Sequence, residues 1–266
     1  METAKGISIR DLRARCQATA PAPERETFTG KKARIFSIYF TKLFLYTSIT
    51  PNWITVISVL VFFVGVGLFL FQSVWLSILG ACLVFFATVL DGCDGEVARF
   101  RHSGGPVGGI FAEPVSHDVQ YGLMFLPLGL AASLSIGQIW PLVLAFLAAV
   151  GKLLTRLAEM RYWQLLHPQG ITEEERTASR QSMTKRSALR KSVSWFKRNI
   201  FSSNGVILPL LLAAIFDKLY WYVAFYGAGY FALWVLVFGK QLMKLNNKKT
   251  TESAASDLKT EINHAF

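Results

Sequence analysis

Uncharged apolar stretches alternate with short polar breaks along most of the chain, and this pattern predicts membrane-spanning helices. Residues 53–71 and 74–90 contain no charged side chain, and each stretch is long enough to cross the hydrocarbon core of a bilayer. The other predicted spans cover about 110–136, 139–157, 201–216 and 219–239. Short polar breaks join several of these spans as hairpins, so six spans leave both termini on the same side.

The residues before the first span predict a different kind of helix. Over 31–47, lysines and an arginine alternate with large apolar side chains, which is typical of a helix lying in the membrane interface. A cytoplasmic extension of the first span is the alternative. Residues 1–30 are polar and contain Pro21 and Pro23, so we expect a poorly ordered arm. Residues 240–266 are expected to form a cytoplasmic tail.

Composition supports a membrane protein. Of the 266 residues, 52% are hydrophobic and only 17% are charged, which is too apolar for an ordinary soluble domain. The fold class predicted is therefore an all-α integral membrane protein, with six transmembrane helices preceded by an interfacial amphipathic helix. The three cysteines, which form no CxxC pair, argue against a disulfide framework or a zinc site; they are Cys16, Cys82 and Cys93.

The net charge of +11 is distributed asymmetrically. On the predicted topology, all but one of the 28 Lys and Arg residues fall on one side, the exception being Lys218. This is what the positive-inside rule predicts for cytoplasmic loops, so the charge indicates a membrane topology and not a nucleic-acid partner. We expect cytoplasmic termini, a cytoplasmic active site, and a bacterial inner membrane in preference to an organelle membrane.

Candidate chemistry begins at the end of the second predicted span. Asp91 and Asp94 are three residues apart and share one face of a helix. Gly95 and Ala98 continue that face with almost no side chain, and Arg99 follows. Hard divalent cations such as Mg²⁺ or Mn²⁺ bind carboxylates together with substrate phosphates, and arginine binds phosphate oxygens. The pattern therefore suits a metal that bridges to a phosphorylated ligand.

A second cluster of polar residues follows the glycine-containing run 104–109. Pro114 suits the first turn of a helix, on which Glu113 and His117 share a face and Asp118 is rotated by roughly 100°. Glu113 can supply another metal ligand, and His117 can act as a base near neutral pH. The alternatives are solvated acids at the end of a span, a structural histidine, and glycines that only allow close packing.

Together these residues resemble the signature of the CDP-alcohol phosphatidyltransferase family, D-x-x-D-G-x-x-A-R followed after about eight residues by G-x-x-x-D-x-x-x-D. The first half is matched in full from Asp91 to Arg99. The Thr50-Pro51-Asn52 start of the first span and the six-span layout resemble the family as well.

The resemblance implies transfer of a phosphatidyl-type group from a CDP-linked lipid donor to an alcohol, with release of CMP. It implies that Asp91, Asp94 and the third acidic position hold a divalent metal, Mg²⁺ or Mn²⁺. Gly95 and Ala98 would leave room for the cytidine nucleotide. The remaining implied contacts to the CDP diphosphate come from Asn52 and Arg99.

The second half of the signature departs from the family pattern. With a gap one residue longer than usual, Gly109 leads to Glu113 and His117, so the third acid is kept and the fourth becomes histidine. With the usual gap, the two acidic positions fall on Ala112 and Ser116. The first register is preferred because it retains a carboxylate ligand and a possible base. His117 is then the candidate base, and Asp118 could substitute for it.

The acceptor is the least specified partner. Lys152, Arg156 and Arg161 could favour a phosphorylated alcohol, although basic residues at a membrane surface are the simpler interpretation. The expected partners are a donor such as CDP-diacylglycerol, a small alcohol and the bilayer, and the family resemblance implies a second copy of the chain as a further partner. A catalytically lapsed protein that binds CDP-lipids is one alternative, and a small membrane transporter is another.

Overall fold

A computed structural model of the chain describes residues 6–18, 27–103, 111, 113–167 and 188–264. These residues are predominantly helical and contain no strand. The helices are α1 (Ile9–Cys16), α2 (Phe28–Leu45), α3 (Pro51–Gly67), α4 (Val74–Arg101), α5 (Glu113–Leu123), α6 (Phe125–Ile136), α7 (Trp140–Leu166), α8 (Ala188–Phe201), α9 (Ile207–Ile215) and α10 (Leu219–His264). Short 3₁₀ turns follow α3 at Leu68–Phe71 and precede α9 at Asn204–Val206.

The all-α membrane architecture is confirmed. By length and composition, five helical segments of the described chain can cross a membrane: Pro51–Phe71, Val74–Arg101, Glu113–Ile136, Trp140–Leu166 and Leu219–Asn246. A sixth span results if Ser194–Phe201 and Asn204–Ile215, which meet at a bend of 75°, are counted together. The predicted span 201–216 is therefore not one straight helix.

Two glycines allow α3 and α4 to pack backbone against backbone. A Cβ atom on Gly65 would lie 2.7 Å from the carbonyl oxygen of Gly80, closer than real contacts allow. Small residues at such positions are a common way to bring membrane helices together. The turn between the helices contains Gln72, whose side-chain amide donates a hydrogen bond to the Ala131 carbonyl at 3.0 Å. The hairpin is thereby joined to α6.

Tyrosines of α10 stabilise the bend before α9. The hydroxyls of Tyr222, Tyr226 and Tyr230 donate to the carbonyls of Val206, Ile200 and Phe201, respectively. The three tyrosines are four residues apart and therefore share one face of α10. Because carbonyls at a helix end lack intrahelical partners, these hydroxyls satisfy backbone groups that the bend exposes.

Several helix boundaries differ from the sequence-based expectation. The spans predicted at 74–90 and 139–157 extend to Arg101 and Leu166. The last predicted span, 219–239, is part of a helix that runs to His264, through most of the expected tail. Charged residues mark the end of an apolar segment, but lysine, arginine, glutamate and glutamine are good helix formers. The helices therefore continue past the apolar segments.

The N-terminal region also differs from expectation. Within the predicted poorly ordered arm, α1 buries Leu12 and Cys16 against apolar side chains of other helices. The predicted interfacial helix 31–47 corresponds to α2, which is separated from α3 by residues 46–50 and is thus no continuation of the first span. Large apolar side chains remain exposed along one side of α2: Ile35, Phe36, Tyr39 and Leu43.

Gly65→Ala is expected to lower the free energy of unfolding by about 1–3 kcal/mol, because the added methyl group overpacks the α3–α4 contact. Thermal or denaturant unfolding of the detergent-purified protein measures this effect. Gly67→Ala is the matched control, since a Cβ atom at Gly67 would meet no atom within 4 Å and alanine favours a helix. Equal destabilisation by both substitutions would contradict the backbone contact.

Candidate active site

Carboxylate side chains appear on α4 where the apolar segment of this helix ends. The first of them that is buried is Asp94. The side chain of Asp94 is 6% exposed. Its two carboxylate oxygens accept hydrogen bonds from the hydroxyl of Thr55 on α3 and from the backbone N–H of Gly95. Both donors are neutral, so they satisfy the hydrogen-bonding capacity of the carboxyl group but place no positive charge beside it.

His117 on α5 contacts Asp91, the other carboxylate of this face. The Nε2 atom of His117 lies 2.9 Å and 3.1 Å from the two Asp91 carboxylate oxygens, and the ring packs edge to face against Tyr121. Because an ionised carboxylate only accepts hydrogen bonds, Nε2 is the donor in this contact. In the neutral ring, Nδ1 is then the nitrogen able to accept a proton.

Glu113, in the first turn of α5, is exposed. Together with Asp91, it lies close enough to Asp94 for like charges to interact. Where the structure describes the chain, no three His, Cys, Asp or Glu side chains are grouped closely enough to hold a metal ion. In donor chemistry the three carboxylates nevertheless fit a hard divalent cation, which would offset the repulsion between them.

An open cavity of about 450 Å³ adjoins His117. It lies between α5, α7, α10 and the bend after α8. Titratable side chains of both signs line it: Glu113, His117, Asp118, Lys152, Arg156, Glu159 and Lys197. The cavity can therefore offer both cationic and acidic side chains to a polar ligand.

The three basic residues predicted for an acceptor are placed differently. Lys152 and Arg156 line the cavity, whereas Arg161 is not among its lining residues and donates to the Gln164 side chain. The ammonium group of Lys152 lies 4.8 Å from the centre of the Tyr230 ring, a cation–π contact. The Arg156 guanidinium lies 3.5 Å from Asp118. Asp118, the alternative candidate for the base, is therefore paired with a cation.

Arg99 occupies the space beside Gly95. A Cβ atom on Gly95 would lie 3.1 Å from Nη1 of Arg99, so the guanidinium covers the position where the signature implies room for a nucleotide. The Nε atom of Arg99 donates to the carbonyl oxygen of Cys16 at 2.6 Å.

Burial raises the pKa of the Cys16 thiol to about 11, which keeps this cysteine protonated and unreactive at neutral pH.

The remaining predicted residues lie at the edge of this region. Asn52 is exposed in the first turn of α3, one turn before Thr55, and Ala98 is half-buried on α4. The glycine run 104–109 and the alternative position Ala112 lie outside the described residues. Ser116, the other position of that register, is half-buried on α5 and donates to the Glu113 carbonyl.

Sequence reasoning missed several polar contacts of the site. Thr55 is a single hydroxyl in an apolar span, and only its position one turn after Asn52 could have indicated a role. Glu96 occupies a variable position of the signature, yet its side chain is buried and accepts three hydrogen bonds. Tyr230 and Lys197 reach the cavity from helices distant in sequence, and no local motif marks them.

Fold and site define a helical membrane protein with a carboxylate-bearing polar region at the ends of its helices. Comparison with family profiles matches residues 48–238 to the family described as CDP-alcohol phosphatidyltransferase. The match covers more than half of the chain and includes Asp91 to Asp118, so the chain belongs to the CDP-alcohol phosphatidyltransferase family. A comparison with curated protein sequences gives no match.

Proposed function

We propose that this protein transfers a phosphatidyl-type group from a CDP-linked lipid, such as CDP-diacylglycerol, to an alcohol acceptor and releases CMP. Family membership supports a CDP-alcohol phosphotransferase acting in phospholipid synthesis. The observation that carries the finer proposal is the contact between His117 and Asp91. It joins the complete first half of the signature, on α4, to a candidate base on α5 that also lines the cavity.

In the proposed reaction, the acceptor hydroxyl attacks the phosphorus that carries the lipid. A bond forms between the hydroxyl oxygen and this phosphorus, and the bond from phosphorus to the bridging diphosphate oxygen breaks. CMP leaves with that electron pair. The hydroxyl proton passes to Nδ1 of His117, while Asp91 holds the opposite ring nitrogen and stabilises the charged imidazolium. Arg99 binds diphosphate oxygens.

Asp91, Asp94 and Glu113 are the residues proposed to hold Mg²⁺ or Mn²⁺. The bound cation would supply charge neutralisation on the diphosphate. The protein supplies the arrangement of the carboxylates: Thr55 fixes the rotamer of Asp94 through its hydroxyl, and His117 orients Asp91. Asn52 is proposed to contact the diphosphate from the start of α3.

The cavity supports a phosphorylated or otherwise anionic alcohol as acceptor. Lys152 and Arg156 line it together with Lys197, and an arginine fork suits a phosphate group. The acceptor hydroxyl would face Glu113 and His117 at the end of the cavity that these residues line. Arg161 is assigned no contact with the acceptor, since it lies outside the lining.

A catalytically lapsed CDP-lipid-binding protein is the second candidate. Its supporting observation is that histidine stands at the last acidic position of the signature and is engaged by both oxygens of Asp91. In that case the protein would bind a CDP-lipid without transfer. Cytoplasmic termini, a bacterial inner membrane and a homodimer stay predictions from sequence.

Asp94→Asn is expected to reduce CMP release by at least about a hundredfold, because metal-assisted charge neutralisation contributes several kcal/mol. Folding should be retained, since the asparagine oxygen can accept from the Gly95 N–H while its amide donates to the Thr55 hydroxyl oxygen. CMP release from CDP-diacylglycerol and thermal unfolding are the two measurements. Asp217→Asn is the control, as Asp217 lies in the turn before α10 with a φ of 52° that asparagine tolerates. Full activity of Asp94→Asn would overturn the metal assignment.

His117→Ala is expected to lower kcat by about 10²–10⁴-fold, the usual contribution of a general base. The Kd for CDP should change little, because the diphosphate is assigned to other residues. Steady-state kinetics and CDP titration separate the two effects. In the companion variant Asp118→Asn we expect a small change in kcat. A large loss of kcat in Asp118→Asn together with a small loss in His117→Ala would make Asp118 the base.

Arg156→Gln is expected to raise the KM for a phosphorylated acceptor by about tenfold or more, since a charge-assisted contact is lost. The KM for the donor should be unchanged. Arg161→Gln is the matched control: the same substitution five residues further along α7, outside the cavity. Kinetics with glycerol phosphate and inositol phosphate as acceptors provide the measurement. Equal effects of the two substitutions would contradict an acceptor phosphate at Arg156.

A further inference from the structure

The first described segment, residues 6–18, lies outside the region matched by the family but packs on the signature helix. The side chain of Ser8 caps α1 by accepting a hydrogen bond from the Asp11 N–H. Leu12 and Cys16 are four residues apart on one face of α1 and are almost fully buried. They belong to an apolar cluster that includes Val97 of α4. An extension of the chain thus contacts the helix that carries the signature.

The C-terminal end of α1 holds Arg99. Carbonyl groups in the last turn of a helix lack intrahelical partners and form the negative end of the helix dipole. The Cys16 carbonyl is such a group, and it accepts a hydrogen bond from Nε of Arg99 at 2.6 Å. This contact uses the inner nitrogen of the guanidinium and leaves its two outer nitrogens over Gly95.

Gln17, the next residue, anchors this end of α1. Its side-chain amide donates to the carboxylate of Glu96 at 2.8 Å and to the carbonyl oxygen of Arg34 at 2.9 Å. Glu96 is 1% exposed and also accepts from the hydroxyls of Ser37 and Thr41. A buried carboxylate needs hydrogen-bond donors. Through these hydrogen bonds, Glu96 links Gln17 and α2 to its own helix, α4.

We propose that α1 and Gln17 position Arg99 for the donor diphosphate, so that a segment outside the family-matched region sets the affinity for the CDP-linked substrate. Gln17 is the positioning residue: it holds the Cys16 carbonyl against Nε of Arg99, and the outer guanidinium nitrogens are thereby oriented in advance. An unrestrained arginine loses side-chain freedom on binding, and orienting it beforehand removes that cost. This inference rests on the proposed function, in which Arg99 binds the diphosphate.

Gln17→Met keeps the length of the side chain and removes both of its hydrogen bonds. We expect the Kd for CDP, titrated with Mg²⁺ by calorimetry, to rise about tenfold because Arg99 is no longer held in place. The kcat at saturating CDP-diacylglycerol should stay within about twofold. Leu12→Ala, which loosens α1 without touching a polar contact, should act in the same direction. Ala14→Ser, at an exposed position of α1, is the control and should change neither value.

A double-mutant cycle separates positioning from a general effect on stability. Arg99→Lys keeps the positive charge but lacks the Nε donor, so adding Gln17→Met to it should raise the Kd for CDP no further. The same increase in both backgrounds would overturn the inference, as would an unchanged Kd in the Gln17→Met single variant. Wild-type protein that neither binds CDP nor releases CMP would contradict the proposed function and this inference together.

Discussion

The site depends on satisfying carboxylates that α4 carries into the interior at the end of an apolar segment. Asp94 and Glu96 are both almost fully buried, and a buried charge is strongly destabilising without hydrogen-bonding partners. The partners come from α3 and from the elements that precede it in the chain. Thr55 of α3 bonds Asp94, and Glu96 receives hydrogen bonds from α2 and from Gln17. The requirement to satisfy these two groups thus ties the N-terminal helices to the signature.

The same two carboxylates have different consequences for function. All described hydrogen bonds to Glu96 come from side chains of the N-terminal region, which makes it an anchor of the fold. Asp94 has two neutral donors and lies near the acidic groups Asp91 and Glu113, so a bound cation would offset the repulsion between these carboxylates. His117 of α5 contacts Asp91 of α4, so the candidate base is joined directly to one of the candidate metal ligands.

The sequence was sufficient to predict the all-helical membrane fold and the family, because long uncharged segments and a D-x-x-D-G-x-x-A-R signature are local patterns. Helix ends were less predictable. The span expected to end at residue 90 continues to Arg101, since good helix formers extend a helix beyond its apolar part. The bend before α9 was not predicted, because it depends on tyrosines of α10 that contact it only in three dimensions.

Within the site, too, residues in local patterns could be predicted, whereas contacts between distant residues could not. Lys152, Arg156 and Arg161 could be proposed together from sequence as basic residues near the acceptor, but only the fold separates Arg161 from the other two. The contact between His117 and Asp91 joins residues 26 positions apart. The segment between them contains the gap whose length departs from the family signature. Gln17 could not be found from sequence, as its role depends on the packing of α1.

The central claim is that the altered second half of the signature still supports transfer. Its most direct test is CMP release by the purified wild-type protein with CDP-diacylglycerol and Mg²⁺, measured across a panel of alcohols with and without phosphate groups. We expect CMP release that requires an acceptor and is fastest with a phosphorylated alcohol. Tight binding of CDP-diacylglycerol without CMP release, whichever acceptor is supplied, would contradict it.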